Sequence, residues 1–227
     1  MTEPATLRLN KHLALQLGIS RREADELIER EQVTINGAVA TLGARFTEGD
    51  AIALKGESVT DTTPYQYVMF NKPVGYVCSR RDQGDNPTIY AILPPEYSIL
   101  KPVGRLDKDS SGLILLSNDG DFAYRMTHPK FVKTKVYTVT LDHELAPLHQ
   151  QMISDNGIQL EDGISQFTIM RQSGNTYEIT MHEGRNRQIR RTFGALGYEI
   201  TKLHRTQFGN YSLGDMNSGA YETVDIR

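Results

Sequence analysis

Leucines stand at positions 9, 13 and 17, and this four-residue spacing predicts an amphipathic helix near the start of the chain. Gly18 supplies its stop. Ser20 and Glu23 have the spacing of a capping box, and Ala24, Leu27 and Ile28 give the buried face of a second helix. Alternation then replaces the helical period. Val33, Thr34 and Ile35 lead into Asn36-Gly37, a pair favoured by two-residue hairpin turns, and another strand is predicted near residues 51–54. Residues 55–64, KGESVTDTTP, carry no apolar period and read as a linker. The pattern predicts a domain over residues 1–55, a linker over 56–64 and a second domain over 65–227.

In the second domain Lys135, Tyr137, Val139 and Leu141 share one phase, with Val136, Thr138 and Thr140 in the other. Tyr177, Ile179 and Met181 alternate with Thr176, Glu178 and Thr180 in the same way. Both segments predict half-buried strands of an antiparallel or mixed sheet. Residues 113–116 form a continuous apolar run, the mark of a strand buried on both faces. Leu145, Leu148 and Met152 predict a helix with Pro147 in its first turn, and Ile189, Phe193 and Leu196 another that ends at Gly197. The fold class is α+β: a small helical and hairpin N-terminal domain, then a domain built on a mixed, mainly antiparallel sheet flanked by helices.

Composition narrows the chemistry. Hydrophobic residues make up 38% of the 227, enough for a sizeable core, and no run of eighteen apolar residues predicts a membrane span. The start, MTEPATLRLNKH, lacks the apolar stretch of a secretory signal, and Cys78 is the single cysteine. That excludes an internal disulfide and a cysteine-rich zinc site, and it predicts a cytoplasmic protein. The six histidines show no ligand spacing, and no phosphate- or dinucleotide-binding glycine motif occurs, so neither metal nor cofactor is expected. The formal net charge of −3 argues against a nucleic-acid partner, but charge is unevenly placed. From residue 185 to residue 205 lie Arg185, Arg187, Arg190, Arg191, Lys202 and Arg205 against Glu199 alone. RNA binding needs such a basic patch rather than a basic protein. In the N-terminal domain Arg8 and Lys11 lie off the leucine stripe. Arg21 and Arg22 open the second helix, where cations oppose the helix dipole. They belong either to a solvated charged face or to a phosphate-binding one.

Residues 102–121, PVGRLDKDSSGLILLSNDGD, set Asp107 on a loop between two predicted strands, with Asn118-Asp119-Gly120 read as a turn. Three readings stand. Asp107, Asp109 and Ser111 imitate the start of a calcium loop, although its twelfth position is Asn118 instead of a glutamate. Asp107 could instead cap a turn through its own backbone. Or it could do chemistry.

The whole string resembles the signature of the RsuA-type ribosomal RNA pseudouridine synthases. MFNKPVGYVCS, KVYTVTL, EGRNRQIRRTF and GYEITKLHRTQFG resemble further blocks of that family, in the same order. RLNKHLALQLGISRREADELI with VTINGA resembles the small RNA-binding module of a ribosomal small-subunit protein. One departure is Ser110, where many members carry threonine. The resemblance implies isomerisation of uridine to pseudouridine in structured RNA, with the branch acting on large-subunit ribosomal RNA the nearest in appearance. It implies Asp107 as the essential carboxylate, Arg190 as its charge partner and Tyr137 as the aromatic that stacks on a flipped base. Arg105 would hold the flipped state, and Lys72 and Gln188 would shape the cleft. Arg185, Arg187 and Arg191 would grip the RNA backbone, as Arg8, Lys11, Arg21 and Arg22 would in the module. The partner is RNA and the protein is expected to act as a monomer. Transfer RNA as substrate, a non-catalytic RNA-binding role in ribosome assembly, and a glycoside hydrolase using Asp107 with Asp109 are the competing readings.

Overall fold

A computed structural model describes residues 6–60, 62–80 and 83–226, and the chain divides into two compact units, 1–65 and 66–227. Residues 1–5, Asp61, residues 81–82 and Arg227 lie outside the described residues, and with them the outer ends of both predicted domains, one linker position and two positions within the second domain. The N-terminal unit runs β1 (Leu7–Arg8), α1 (Leu9–Gln16), α2 (Arg21–Glu29), β2 (Val33–Ile35), β3 (Ala38–Val39), β4 (Arg45–Phe46), β5 (Ile52–Leu54) and β6 (Glu57–Ser58). Leu9 and Leu13 are buried, whereas Leu17 closes α1 at the surface. The capping box of α2 is formed: the Ser20 N–H donates to Glu23 Oε2 at 2.6 Å and the Glu23 N–H to Ser20 Oγ at 3.2 Å. Asn36 and Gly37 take φ of 51° and 81°, which folds β2 onto β3. The predicted strand near residue 52 pairs instead with the other edge of β2.

The predicted linker begins inside this unit. Lys55 and Gly56, at φ 51° and 86°, turn β5 back onto β6. Thr62 and Thr63 then donate their backbone N–H groups to Gln16 Oε1 at 3.1 and 3.0 Å. A polar two-strand edge has no apolar period, so its pairing left no trace in the pattern.

The second unit runs β7 (Tyr67–Lys72), β8 (Lys101–Val103), β9 (Ser111–Ser117), α3 (Gly120–Thr127), β10 (Lys135–Leu141), α4 (Pro147–Gln151), β11 (Ile158–Leu160), β12 (Gly163–Ser165), β13 (Thr168–Ser173), β14 (Thr176–Met181), α5 (Gln188–Ala195), β15 (Ile200–Phe208), β16 (Tyr211–Ser212) and β17 (Tyr221–Thr223). Its sheet has the order β13-β14-β10-β15-β9-β7-β17, with β16 on β15 and β8 on β9. All of its pairings are antiparallel except β15 with β9. The apolar run of β9 follows from cover on both faces. Ile114 and Leu116 pack in one core with Tyr137, Val139 and α5, while Leu113 and Leu115 pack in another with Phe122 and Met126 of α3. Gly112 takes φ +105°, and a Cβ there would stand 2.2 Å from the Arg205 carbonyl oxygen, so the parallel contact of β9 with β15 requires glycine.

Two helix expectations change. The predicted turn at residues 118–120 is the start of α3, where Asp119 accepts from the N–H groups of Asp121 and Phe122 at 2.9 and 3.2 Å. The helix expected from Leu145, Leu148 and Met152 begins only at Pro147 and passes into a π-turn. Leu145 therefore precedes it, Leu148 is exposed, and Ile153 fills the core. Among the described residues no helix is long and apolar enough to cross a membrane.

Candidate active site

A cleft of about 1000 Å³ opens at the ends of β10 and β15 and is lined by Asp107, Tyr137, Arg105, Arg187, Arg190 and Gln188, among others. Among the described residues its wall carries Arg105, Lys108, Lys133, Lys135, Arg185, Arg187, Arg190 and Arg205 against Asp107 and Glu183. A chain of net charge −3 thus presents a cationic cavity of the size that binds organic ligands.

Asp107 sits on the loop between β8 and β9, and three elements hold that loop. Lys72, at the end of β7, is fully buried and donates to the carbonyls of Ser110 at 2.7 Å, Pro73 at 2.9 Å and Asp107 at 3.2 Å. Its three N–H donors match three acceptors, which is how a buried ammonium is tolerated. Burial pushes the Lys72 pKa down, and the carboxylates of Asp107 and Asp109 oppose that shift. The Gly75 N–H donates to the Lys108 carbonyl at 2.8 Å. From α5, Arg190 Nη2 donates to the Asp109 carbonyl at 2.9 Å, and Nη1 to that of Ile200 at 3.3 Å. Lys72 therefore lies behind the cleft as a loop anchor and does not line it.

The ion pair of Asp107 differs from the expected one. Arg187 Nη1 stands 3.7 Å from Asp107 Oδ2 and 3.7 Å from Asp109 Oδ2, bridging the two carboxylates. Arg187 caps α5 in the left-handed region, φ 46° and ψ 32°, a strained geometry for a side-chain-bearing residue. Arg190, in the first turn of α5, engages the backbone of the same loop. It feels the carboxylates only through space: burial and Arg187 lower its pKa, and Asp109 and Asp107 raise it again.

Tyr137 is opposite Arg205 on one side and Ile179 on the other, 7% exposed, with its ring in the apolar core beside the cleft. Arg105 is exposed on the approach to Asp107. Other expected RNA contacts are occupied by protein. Arg185 donates to the Asp162, Gly163 and Ile164 carbonyls and pairs with Asp162 at 2.9 Å. Arg191 pairs with both oxygens of Asp162, at 2.9 and 2.7 Å. Gln188 is buried and donates to Ser165 Oγ at 3.0 Å and to Glu183 Oε1, while its own Oε1 accepts from the Arg185 N–H. These three tie α5 to the β11–β12 hairpin. In the N-terminal unit Arg8, Arg21 and Arg22 are exposed and Lys11 is half-buried.

Arg205 is the residue that the motif reading passed over. It is 3% exposed, and its Nε donates to the Leu113 carbonyl at 2.7 Å. An arginine two residues after Leu203, in the buried phase of a strand, is the sequence signal that would have found it.

Comparison with known proteins agrees with this arrangement. Residues 66–195 match the RNA pseudouridylate synthase family, and residues 7–52 match the S4 domain. The chain is 36% identical over 223 residues to the ribosomal small subunit pseudouridine synthase A of Pasteurella multocida (strain Pm70), covering 96% of each chain. It is 34% identical over 220 residues to the ribosomal large subunit pseudouridine synthase B of Bacillus subtilis (strain 168), covering 93% of this chain and 89% of that one. A solved pseudouridylate synthase superposes with a TM-score of 0.69 at 32% identity over 96% of both chains. With its catalytic family matched over more than half its length and an S4 domain ahead of it, this chain belongs to the RNA pseudouridylate synthase family, a family of isomerases.

Proposed function

We propose that this enzyme converts one uridine of ribosomal RNA to pseudouridine, with Asp107 acting at the ribose. The observation that carries this reading is the meeting of Asp107 and Tyr137 on one cationic cleft in a chain of this family. The reaction breaks the C1′–N1 bond, turns the uracil and joins C5 to C1′, and the C5 proton leaves as N1 regains one. No atom is imported. Asp107 serves either as nucleophile at C1′ or as base toward a ribose proton. Arg187 stands beside its carboxylate and Arg190 holds the loop backbone next to it in both roles.

A paired uridine must leave its stack to reach Asp107. Tyr137 supplies the stacking face, which contributes about 1–3 kcal/mol, and Arg105 lies where a cation can hold the flipped strand. In this reading Tyr137 also takes the C5 proton. The N-terminal cations Arg8, Lys11, Arg21 and Arg22 contact phosphate, which positions RNA without reading its sequence. Relatives named for the small and the large ribosomal subunit match at 36% and 34% identity, and we take the large subunit, which the motif blocks favour, as the first target to test.

The test maps pseudouridines in ribosomal and transfer RNA of a strain lacking the protein, then of strains restored with wild type or Asp107→Asn. One large-subunit site lost, regained with wild type and absent with the Asn form is the expected result. Turnover of the Asn form should fall by about 10³-fold with RNA affinity nearly intact. A site in the small subunit or in a transfer RNA would replace the target while keeping the chemistry. Full activity of Asp107→Asn would sink the mechanism.

A further inference from the structure

When the C1′–N1 bond breaks, its electron pair stays with the base, and the detached uracil carries negative charge delocalised onto its two ring carbonyl oxygens. A site that lets this base turn must hold that charge without holding N1. Arg205 has the required placement. It faces the cleft from β15, directly across from Tyr137 in the antiparallel register of β10 and β15. Its guanidinium is fixed on two sides: Nε donates to the Leu113 carbonyl at 2.7 Å, and its central carbon lies 4.8 Å from the Phe208 ring centroid. Nη2 is buried and has no acceptor in the protein among the described residues. Buried donors of this kind are rare in folded proteins, more so on a charged group.

Several other cations of the wall are spent differently. Lys135 Nζ donates to the Glu183 carbonyl at 3.1 Å. Arg187 spans two carboxylates, and Arg190 holds the Asp107 loop. The Nε groups of Arg185 and Arg190 also lack acceptors, but each of those guanidiniums is anchored through its Nη atoms to backbone carbonyls. Arg205 keeps a terminal NH2 group for an incoming acceptor, at a position set by the glycine contact of Gly112.

We infer that Arg205 contacts the substrate directly, donating from Nη2 to a ring carbonyl oxygen of the uracil stacked on Tyr137, and that this bond strengthens when the base detaches as an anion. Such a donor acts where charge develops, so its effect falls on the chemical step more than on RNA binding. The inference rests on the cleft being the uridine site proposed above.

The experiment measures single-turnover conversion of the mapped target RNA carrying uridine, 2-thiouridine or 4-thiouridine at the target position. It uses wild type, Arg205→Met and Arg205→Lys. Sulfur accepts a hydrogen bond poorly, so replacing the contacted oxygen should slow the wild type by about 10-fold, and the other analogue should not. Arg205→Met should lose about 10²-fold in rate with RNA affinity nearly unchanged, and should lose nothing more with the sensitive analogue. The wild-type analogue series needs no variant to fold, and Arg205→Lys, which keeps the charge, gives the coupling if Arg205→Met unfolds. Losses that multiply for both analogues, or a wild-type rate indifferent to both, overturn the role of Arg205. Undiminished conversion by Asp107→Asn, or no conversion of the uridine RNA by wild type, instead overturns the reading of the cleft.

Discussion

Residues 185–191 supply arginines to two different loops. Arg187 and Arg190 reach the loop of Asp107, and Arg185 and Arg191 reach Asp162 on the β11–β12 hairpin. The first contacts are long or made to backbone: 3.7 Å from Arg187 to each carboxylate, and a carbonyl for Arg190. The second are short and numerous, with Arg191 bidentate on Asp162 at 2.9 and 2.7 Å. Bidentate pairs hold geometry, whereas long ion pairs can be exchanged for a ligand. One short segment therefore provides both a rigid mount and a responsive surface, and the same residue type does both jobs within seven residues.

The largest effect that would break this comparison is catalytic. Arg190→Met should cut single-turnover rate by about 10²-fold while leaving the urea unfolding midpoint close to wild type. A large drop in midpoint with a normal rate would place Arg190 with the mounts. Next comes Arg185→Met, which should lower unfolding free energy by about 1–3 kcal/mol because three carbonyls and Asp162 lose a shared donor. Its rate at a temperature where it is folded should stay within a few-fold of wild type. Salt dependence sharpens the division further. Arg105→Met should reduce the slope of log affinity against log salt by about 1, while Arg191→Met should leave it unchanged, since Asp162 already neutralises that cation.

The smallest effect separates the two sides by pH. Ser111 Oγ, where β9 leaves the Asp107 loop, is 2.8 Å from His204 Nδ1. Burial, with help from Lys202, lowers the His204 pKa below its usual 6.5. The unfolded chain then takes up the proton first, so this contribution to stability is complete above pH 6.5 and is lost as pH falls below it. The Arg191 hydrogen bond lowers the Asp162 pKa below 3.8, so the hairpin side keeps its contribution down to that pH. A stability profile between pH 7 and pH 4 should soften in wild type and flatten in His204→Gln.

Local signals were the legible ones. The capping box at Ser20, the alternation of β10 and β14, and the apolar run of β9 each depend on residues close in sequence, and each was readable. Lys55-Gly56 and Asp119 were misread because a turn and a helix cap use the same polar residues as a loop. In the cleft, the motifs brought Asp107 and Tyr137 forward, and the structure does line one cavity with both. They did not separate Arg187 from Arg190, because the left-handed backbone at Arg187 decides which guanidinium reaches the carboxylates. Nor did they reveal Arg205, whose place opposite Tyr137 comes from pairing between strands more than sixty residues apart.

Lys72 carries a consequence for motion. Its ammonium bonds the middle and the far end of the loop, at Asp107 and Ser110, from a fully buried seat on β7. The loop cannot lift without taking from that charge two of its three carbonyl acceptors. The amide hydrogens of Ser110 and Gly75, which bond within this clamp, should therefore exchange with solvent as slowly as the core of β9, and only when the unit as a whole opens. Reactive loops commonly sit among the most labile parts of a fold. Here the carboxylate keeps its place for as long as the sheet exists.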